Sequence, residues 1–256
     1  MYIELHARSA FSFLEGACTP EDLVRAFAAH GMPSMALLDR DGLYGAPRFY
    51  LAAKKMELTA HIGAEVTSTA GGRYCLLVAS RQGYQNLCRL ITRMKLRAKK
   101  GGGAIEMDEL REAKEGLICL TGGDEGLLAN ALRTGGTEQA AKCLRELCAI
   151  FDRENVYVEV QRHFSLEEER RNQAAIALAR SLQLSLLATN GVCYASPGQR
   201  EILDVFSCLR HHRVLANAGR LLSYNSERYL KSPAQCRFSL RIYRKPLPTQ
   251  LNWHRD

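Results

Sequence analysis

The sequence predicts an α/β protein built on a parallel sheet, either open or closed into a barrel. Seven short apolar runs alternate with amphipathic helical stretches, the pattern left by parallel strands joined through crossover helices. At 256 residues the chain has room for one large domain or two small ones. Hydrophobic residues at 46% and charged residues at 24% suffice to bury a core, which excludes a disordered tail and a disulfide-stapled miniprotein.

In chain order, Tyr2–His6 reads as the first strand. Pro20–His30 reads as a helix, with Thr19 as N-cap, Pro20 at the first helical position and Gly31-Met-Pro33 as the stop. Strand Ser34–Leu38, helix Gly45–Met56 and strands His61–Thr67 and Tyr74–Ala79 follow. Helix Gly83–Arg97 then runs into Arg97-Ala-Lys-Lys-Gly-Gly-Gly103, a basic, glycine-rich loop within the domain, because the alternation resumes after it. Helix Met107–Ala113, strand Gly116–Leu120, helix Thr137–Ile150, strand Val156–Gln161, helix Leu166–Leu182 and strand Ser185–Thr189 complete the series.

The 35 basic and 27 acidic residues leave a net charge of +8 and a pI near 9.1. That favours a polyanionic partner without specifying nucleic acid. Arg93, Lys95, Arg97, Lys99 and Lys100 could grip DNA phosphates. They could equally be a solvated helix end whose charges suit the helix dipole. The N-terminus shows no signal peptide and no apolar run approaches the ~18 residues of a membrane span, so a cytoplasmic protein without membrane contact is expected. The nine cysteines are odd in number and form no C-x-x-C pair, as reduced thiols do, and argue against a cysteine zinc cluster.

Polar residues recur where the strands end, at His6, Asp39-Arg40-Asp41, Gln161-Arg162-His163, Asn190 and Cys193, and Glu65 lies within the third strand. In parallel α/β folds functional groups gather at such ends, and a set of His, Asp and Glu suits a metal site of oxygen and nitrogen ligands. Taken singly, a strand-end histidine is an ordinary rim residue and an Asp-Gly pair an ordinary turn.

Several of these residues fall in longer motifs. Leu5-His-Ala-Arg-Ser-Ala-Phe-Ser-Phe-Leu-Glu-Gly16, Ala36-Leu-Leu-Asp-Arg-Asp-Gly-Leu-Tyr-Gly45, His61-Ile-Gly-Ala-Glu65 and Gly83-Tyr-Gln-Asn-Leu-Cys-Arg-Leu90 come first. Val158-Glu-Val-Gln-Arg-His163, Leu187-Ala-Thr-Asn190 and Tyr229-Leu-Lys-Ser-Pro233 continue the series. In this order they resemble the polymerase-and-histidinol-phosphatase (PHP) domain at the N-terminus of bacterial C-family DNA polymerases. The resemblance is nearest to the error-prone branch of DNA polymerase III alpha subunits. It covers residues 1–234 and implies a distorted (β/α)7 barrel.

The resemblance further implies a metal cluster at strand ends, and phosphoester hydrolysis where that cluster is complete. Here it is degenerate. His6, Asp39, Glu65 and His163 survive, whereas Arg8 and Arg40 stand where histidines are expected. Tyr74 replaces a histidine, Gly123 a cysteine, and Gly191-Val-Cys193 an Asp-x-His. A guanidinium has no lone pair to give a metal and brings a fixed positive charge. Arg8 and Arg40 are therefore expected to replace the metal by pairing with Asp39 and Glu65. The rival expectation is one zinc or manganese ion held by the surviving residues and Cys193, with phosphoesterase or 3′–5′ exonuclease activity.

The leading expectation is a non-catalytic module that scaffolds a polymerase body (palm, thumb and fingers) in translesion synthesis and DNA repair, with DNA contact through the basic loop. No palm carboxylates for two-metal nucleotidyl transfer are expected in this stretch, so the chain alone is not expected to polymerise DNA. Residues 235–256 depart from helical periodicity, carry two prolines and are basic. They are expected to be an unstructured tail, either the trace of a truncated longer gene or a short natural linker. His211, His212 and the arginines beside them read as a surface charge cluster.

Overall fold

The computed structural model describes residues 2–99 and 101–240. Six strands hydrogen-bond in chain order, and the described residues fall into two compact units. One comprises the chain up to Ile62 and from Asn190 onward; the other is Gly63–Thr189.

The first unit holds α1 (Pro20–Ala29), β1 (Ser34–Arg40), α2 (Ala46–Lys55), the start of β2 (Thr59–Thr67), α7 (Arg200–Arg210) and α8 (Pro233–Leu240). The start of α1 is a capping box: Asp22 N donates to Thr19 Oγ1 at 3.2 Å and Thr19 N to Asp22 Oδ2 at 3.1 Å. Its buried face, Leu23, Val24 and Phe27, meets α2 through Phe27 and Phe49, whose tilted rings lie 6.1 Å apart. Tyr2, Met32, Met35 and Leu37 extend this core.

The expected first strand forms no regular ladder. Glu4 O accepts from Ala36 N (2.8 Å) and Ala7 O from Leu38 N (2.7 Å), while His6 O and Arg8 N bond Val192 at 2.9 and 2.8 Å. The segment thus lies extended between β1 and residue 192. A ladder fails where His6 N turns to the Glu4 carboxylate at 2.9 Å.

The second unit holds the rest of β2, β3 (Arg73–Val78), α3 (Arg81–Arg97), α4 (Met107–Ala113), β4 (Leu117–Leu120), α5 (Leu127–Phe151), β5 (Val156–Val160), α6 (Leu166–Ser181) and β6 (Ser185–Ala188). The sheet is mixed, not wholly parallel. β3 runs antiparallel to β2 and β4, and β4, β5 and β6 are parallel. No crossover helix separates β2 from β3. The short turn through Gly71 and Gly72, at φ 84° and 79°, makes them a hairpin.

Helix α5 begins ten residues before the expected Thr137 and breaks at Gly135-Gly136, where φ/ψ are −141°/15° and 65°/−158°. Both halves serve one core: Leu128 and Ala131 precede the break, Ala140 and Leu144 follow it, and all pack with Val158 and Ala175.

Helix α8 corrects the start of the expected tail. Ser232 and Gln235 cap it reciprocally (2.8 and 3.3 Å), and Cys236 is buried in the first unit's core. Residues 241–256 of that expectation lie outside the described residues. Among the described residues no helix is long and apolar enough to cross a membrane.

Candidate functional site

In the first unit the loop after the extended segment is built around the β1 aspartate. Asp39 Oδ1 accepts from Ser9 N (2.8 Å), Ser9 Oγ (3.0 Å) and Ser12 Oγ (2.8 Å), and Oδ2 accepts from Ser9 Oγ at 2.9 Å. Gly45 makes room for this carboxylate, since a Cβ there would lie 2.4 Å from Asp39 Oδ2. Arg40 N donates back to Ser12 Oγ at 3.0 Å, tying the loop to the end of β1.

The same loop supplies Glu15, only 4% exposed, on which three arginines converge. Arg8 Nη1 lies 3.8 Å from its Oε2, and Arg40 Nη1 and Arg210 Nη1 both donate to its Oε1. Arg40 Nε also reaches Asp41 Oδ2 at 3.3 Å. Glu15 was not among the expected partners of Arg8 and Arg40, and Arg210 joins them from α7.

His6, Gly191 and Cys193 are buried in this unit. The Cys193 thiol lies 3.5 Å from Gly191 O. Asn190 N donates to Glu4 Oε2 at 2.9 Å, and Glu4 Oε2 also accepts the Tyr2 hydroxyl at 2.5 Å. Burial raises the Glu4 carboxyl to about 7, partly opposed by the bonds from Tyr2, His6 N and Asn190 N.

In the second unit Glu65 stands on β2, buried and directly opposite Cys75 of β3. Arg73 Nη1 lies 3.2 Å from Glu65 Oε2 and 3.1 Å from Glu125 Oε2. Burial pushes the Tyr74 phenol upward. At Gly123 a Cβ would lie 2.4 Å from Gln161 Oε1, so the Gln161 side chain occupies the space a larger residue would need. His163 is held by Glu168 of α6, which faces its ring Nδ1 at 2.7 Å and also accepts its backbone N–H.

The basic stretch is partly committed to its own unit. Arg93 donates to Glu112 at 2.6 Å and Arg97 Nη2 to Glu109 Oε2 at 2.6 Å, both on α4. Lys95 is half-buried and Lys99 exposed, and Lys100 lies outside the described residues.

Sequence reasoning missed Ser9, Ser12, Glu15, Arg73, Glu168 and Arg210. The first three lie inside the opening motif, where polar residues at every third position were a usable signal. Arg73 gave none without the β2–β3 hairpin that brings it to Glu65 eight residues away, and Arg210 none because Glu15 lies 195 residues away.

The donor set fits poorly to a multi-ion centre. Arg8 and Arg40 offer no lone pair, Gly123 and Gly191 no side-chain donor, and Asp39 and Glu65 each accept charge or hydrogen bonds within their own unit. Glu65 opposite Cys75 still pairs a carboxylate with a thiol, groups that hold single divalent ions.

A mixed α/β sheet with buried His6, Asp39, Glu65 and His163 defines the class of protein as an α/β domain. Residues 4–163 match the PHP domain family, and the chain belongs to it. It is 34% identical over 246 residues to the error-prone DNA polymerase of Mycolicibacterium paratuberculosis, spanning 91% of this chain and 22% of that protein. It is 32% identical over 241 residues to the DNA polymerase III subunit alpha of Pseudomonas aeruginosa, spanning 91% and 20%. The chain thus covers about a fifth of the length of these relatives. An amidohydrolase from Chromobacterium violaceum, solved with bound sulfate and no metal, shares the fold with a TM-score of 0.50 at 14% identity, over 74% of this chain and 87% of that one.

Proposed function

We propose that this chain is the N-terminal PHP module of an error-prone, C-family DNA polymerase. In this reading it is a non-catalytic support for the polymerase body during translesion synthesis and repair in the cytoplasm. The observation that carries the reading is the convergence of Arg8, Arg40 and Arg210 on buried Glu15. Two of those arginines stand at positions the family uses for metal-binding histidines, and their fixed charges oppose a cation at the same place. The polymerase relatives support the partner, and the basic balance of the chain is compatible with DNA nearby.

The second reading is a metal-dependent phosphoesterase, or 3′–5′ exonuclease, using one zinc or manganese ion. It is favoured by Glu65 standing opposite Cys75 and by the carboxylate behind the His163 ring, an arrangement usual for metal-binding histidines.

Metal content after exchange into metal-free buffer, with zinc and manganese added back, separates the two. Substoichiometric metal and no hydrolysis of p-nitrophenyl phosphate or a DNA 3′ end are expected. About one ion per chain, lost in Glu65→Ala, with metal-dependent hydrolysis, would overturn the support role.

A further inference from the structure

Helix α7 buries Leu203 and Cys208 on one face and carries a second apolar stripe on the other, exposed one. Ile202, Val205 and Leu209 share one helical stripe and are 44%, 43% and 57% exposed, whereas Asp204 and Ser207 are buried on the other side. Asp204 is used there: Arg200 Nε lies within 3.3 Å of Oδ2, and Ser223 N donates to Oδ1 at 3.2 Å. In the following segment Val214, Leu215, Leu221 and Tyr224 are exposed as well, and the turn at Leu215–Asn217 packs on α7. Leu203 already serves the core and Cys208 is buried, so the outer stripe is surplus to it, and exposed apolar surface of this kind marks an interaction site.

The charge around this surface is mostly basic, with exposed Glu201 one turn before Val205 the exception and Arg210 already paired with Glu15. Arg210, His211, His212, Arg213 and Arg220 lie there, and no Asp or Glu occurs between Asp204 and Glu227. A second copy would bring two basic rims together. Nucleic acid would match the rim but would leave three aliphatic side chains without an apolar partner.

We infer that the α7 face docks on a protein surface with an aliphatic centre and a carboxylate rim, carried by the polymerase body. This rests on the proposed reading of the chain as a polymerase module. It adds to that reading the surface through which the module is held. The alignment leaves most of the Mycolicibacterium polymerase outside the stretch matched by this chain, and that remainder is the probe.

The test is calorimetric titration of the full chain with that remainder. Saturable binding is expected, weakening with added salt. It should weaken about tenfold or more, the loss typical of a central contact, in Val205→Glu/Leu209→Glu, and clearly in Arg213→Glu/Arg220→Glu. Leu96→Glu, at an exposed position on α3, should bind as the parent does. Melting curves establish that the variants fold. Parent binding that persists undiminished in both double variants overturns the α7 face and leaves the module reading standing. No binding by the parent overturns both. If the double variants instead lose only self-association, oligonucleotide binding or binding to anionic phosphatidylglycerol vesicles, the assigned occupant is wrong and the inference fails.

Discussion

Arg73 reaches Glu65 across the β2–β3 hairpin, with Nη1 3.2 Å from the Glu65 Oε2. The same guanidinium nitrogen lies 3.1 Å from Glu125 Oε2. A cation supplied by the chain therefore sits on the glutamate that the resemblance leads us to expect at a metal site. Burying such a pair adds little over apolar packing, but removing one partner leaves the other charge without its counterion.

Arg73→Met should therefore destabilise the fold by about 3–5 kcal/mol, the cost of breaking a comparable buried pair. Arg73→Met combined with Glu65→Gln should recover a good part of that loss. Urea unfolding of the two variants reads both quantities. An Arg73→Met midpoint equal to the parent's would show that the pair contributes nothing to the fold.

Glu15 has the larger set of dependants. Arg8, Arg40 and Arg210 all use it, and Arg8 and Glu15 are both buried. Glu15→Ala removes the shared acceptor and leaves neighbouring guanidiniums to repel one another. Thermal unfolding should show a loss comparable to Arg73→Met, about 3 kcal/mol or more. Arg8→Ala should cost less, because Glu15 keeps two other arginines. The reverse order would mean that Arg8 matters through different contacts.

Glu4 makes stability fall as the medium becomes less acidic. Its carboxyl ionises near 7 in the fold, against an ordinary 4.5. Between those values the unfolded chain holds fewer protons than the folded one, so stability declines as pH rises through the window. Below about pH 4.5 the contribution is fully present; by about pH 7 most of it is gone, a change of about 3 kcal/mol. Glu4→Gln should remove that slope. The variant should also be less stable at pH 5, because an amide has a single acceptor oxygen for three donors, Tyr2 OH, Asn190 N and His6 N. Unfolding free energies from pH 5 to 8 compare the slopes, and parallel parent and variant curves would rule out Glu4 as their source.

Much of the fold was readable because its determinants are local. Thr19, Pro20 and the Gly31–Pro33 stop mark α1 by capping chemistry, and Met107–Ala113 was readable residue for residue as α4. The Gly135-Gly136 break explains why helical periodicity showed only from Thr137: the residues before it form a separate short helix whose phase the kink interrupts. The antiparallel β3 was also readable in principle, since Gly71-Gly72 leaves no room for a crossover. The positions of the expected site residues came from the resemblance of their motifs to the PHP domain. Their partners did not, because Glu15 meets Arg210 across 195 residues of chain and no local pattern encodes such a contact.

Gly83 illustrates a motif residue with a packing reason. It lies in the first turn of α3, where its N–H donates to the Ser80 hydroxyl at 3.2 Å. A Cβ on it would come within 1.8 Å of Gly116 O and 2.5 Å of the Gly116 carbonyl carbon. Both obstacles are backbone, in the turn leading into β4, and Asn86 Nδ2 holds that turn by donating to Glu115 O at 3.0 Å. Rotating a side chain cannot relieve the clash, so α3 must lift from the turn. Gly83→Ala should accordingly cost about 1–3 kcal/mol, as overpacking does, despite alanine's better helix propensity. Gly198→Ala is the control, since a Cβ there meets nothing within 4 Å, and its change should stay within about 0.5 kcal/mol. Equal melting temperatures for the two variants would show that the α3 turn can move aside without loss.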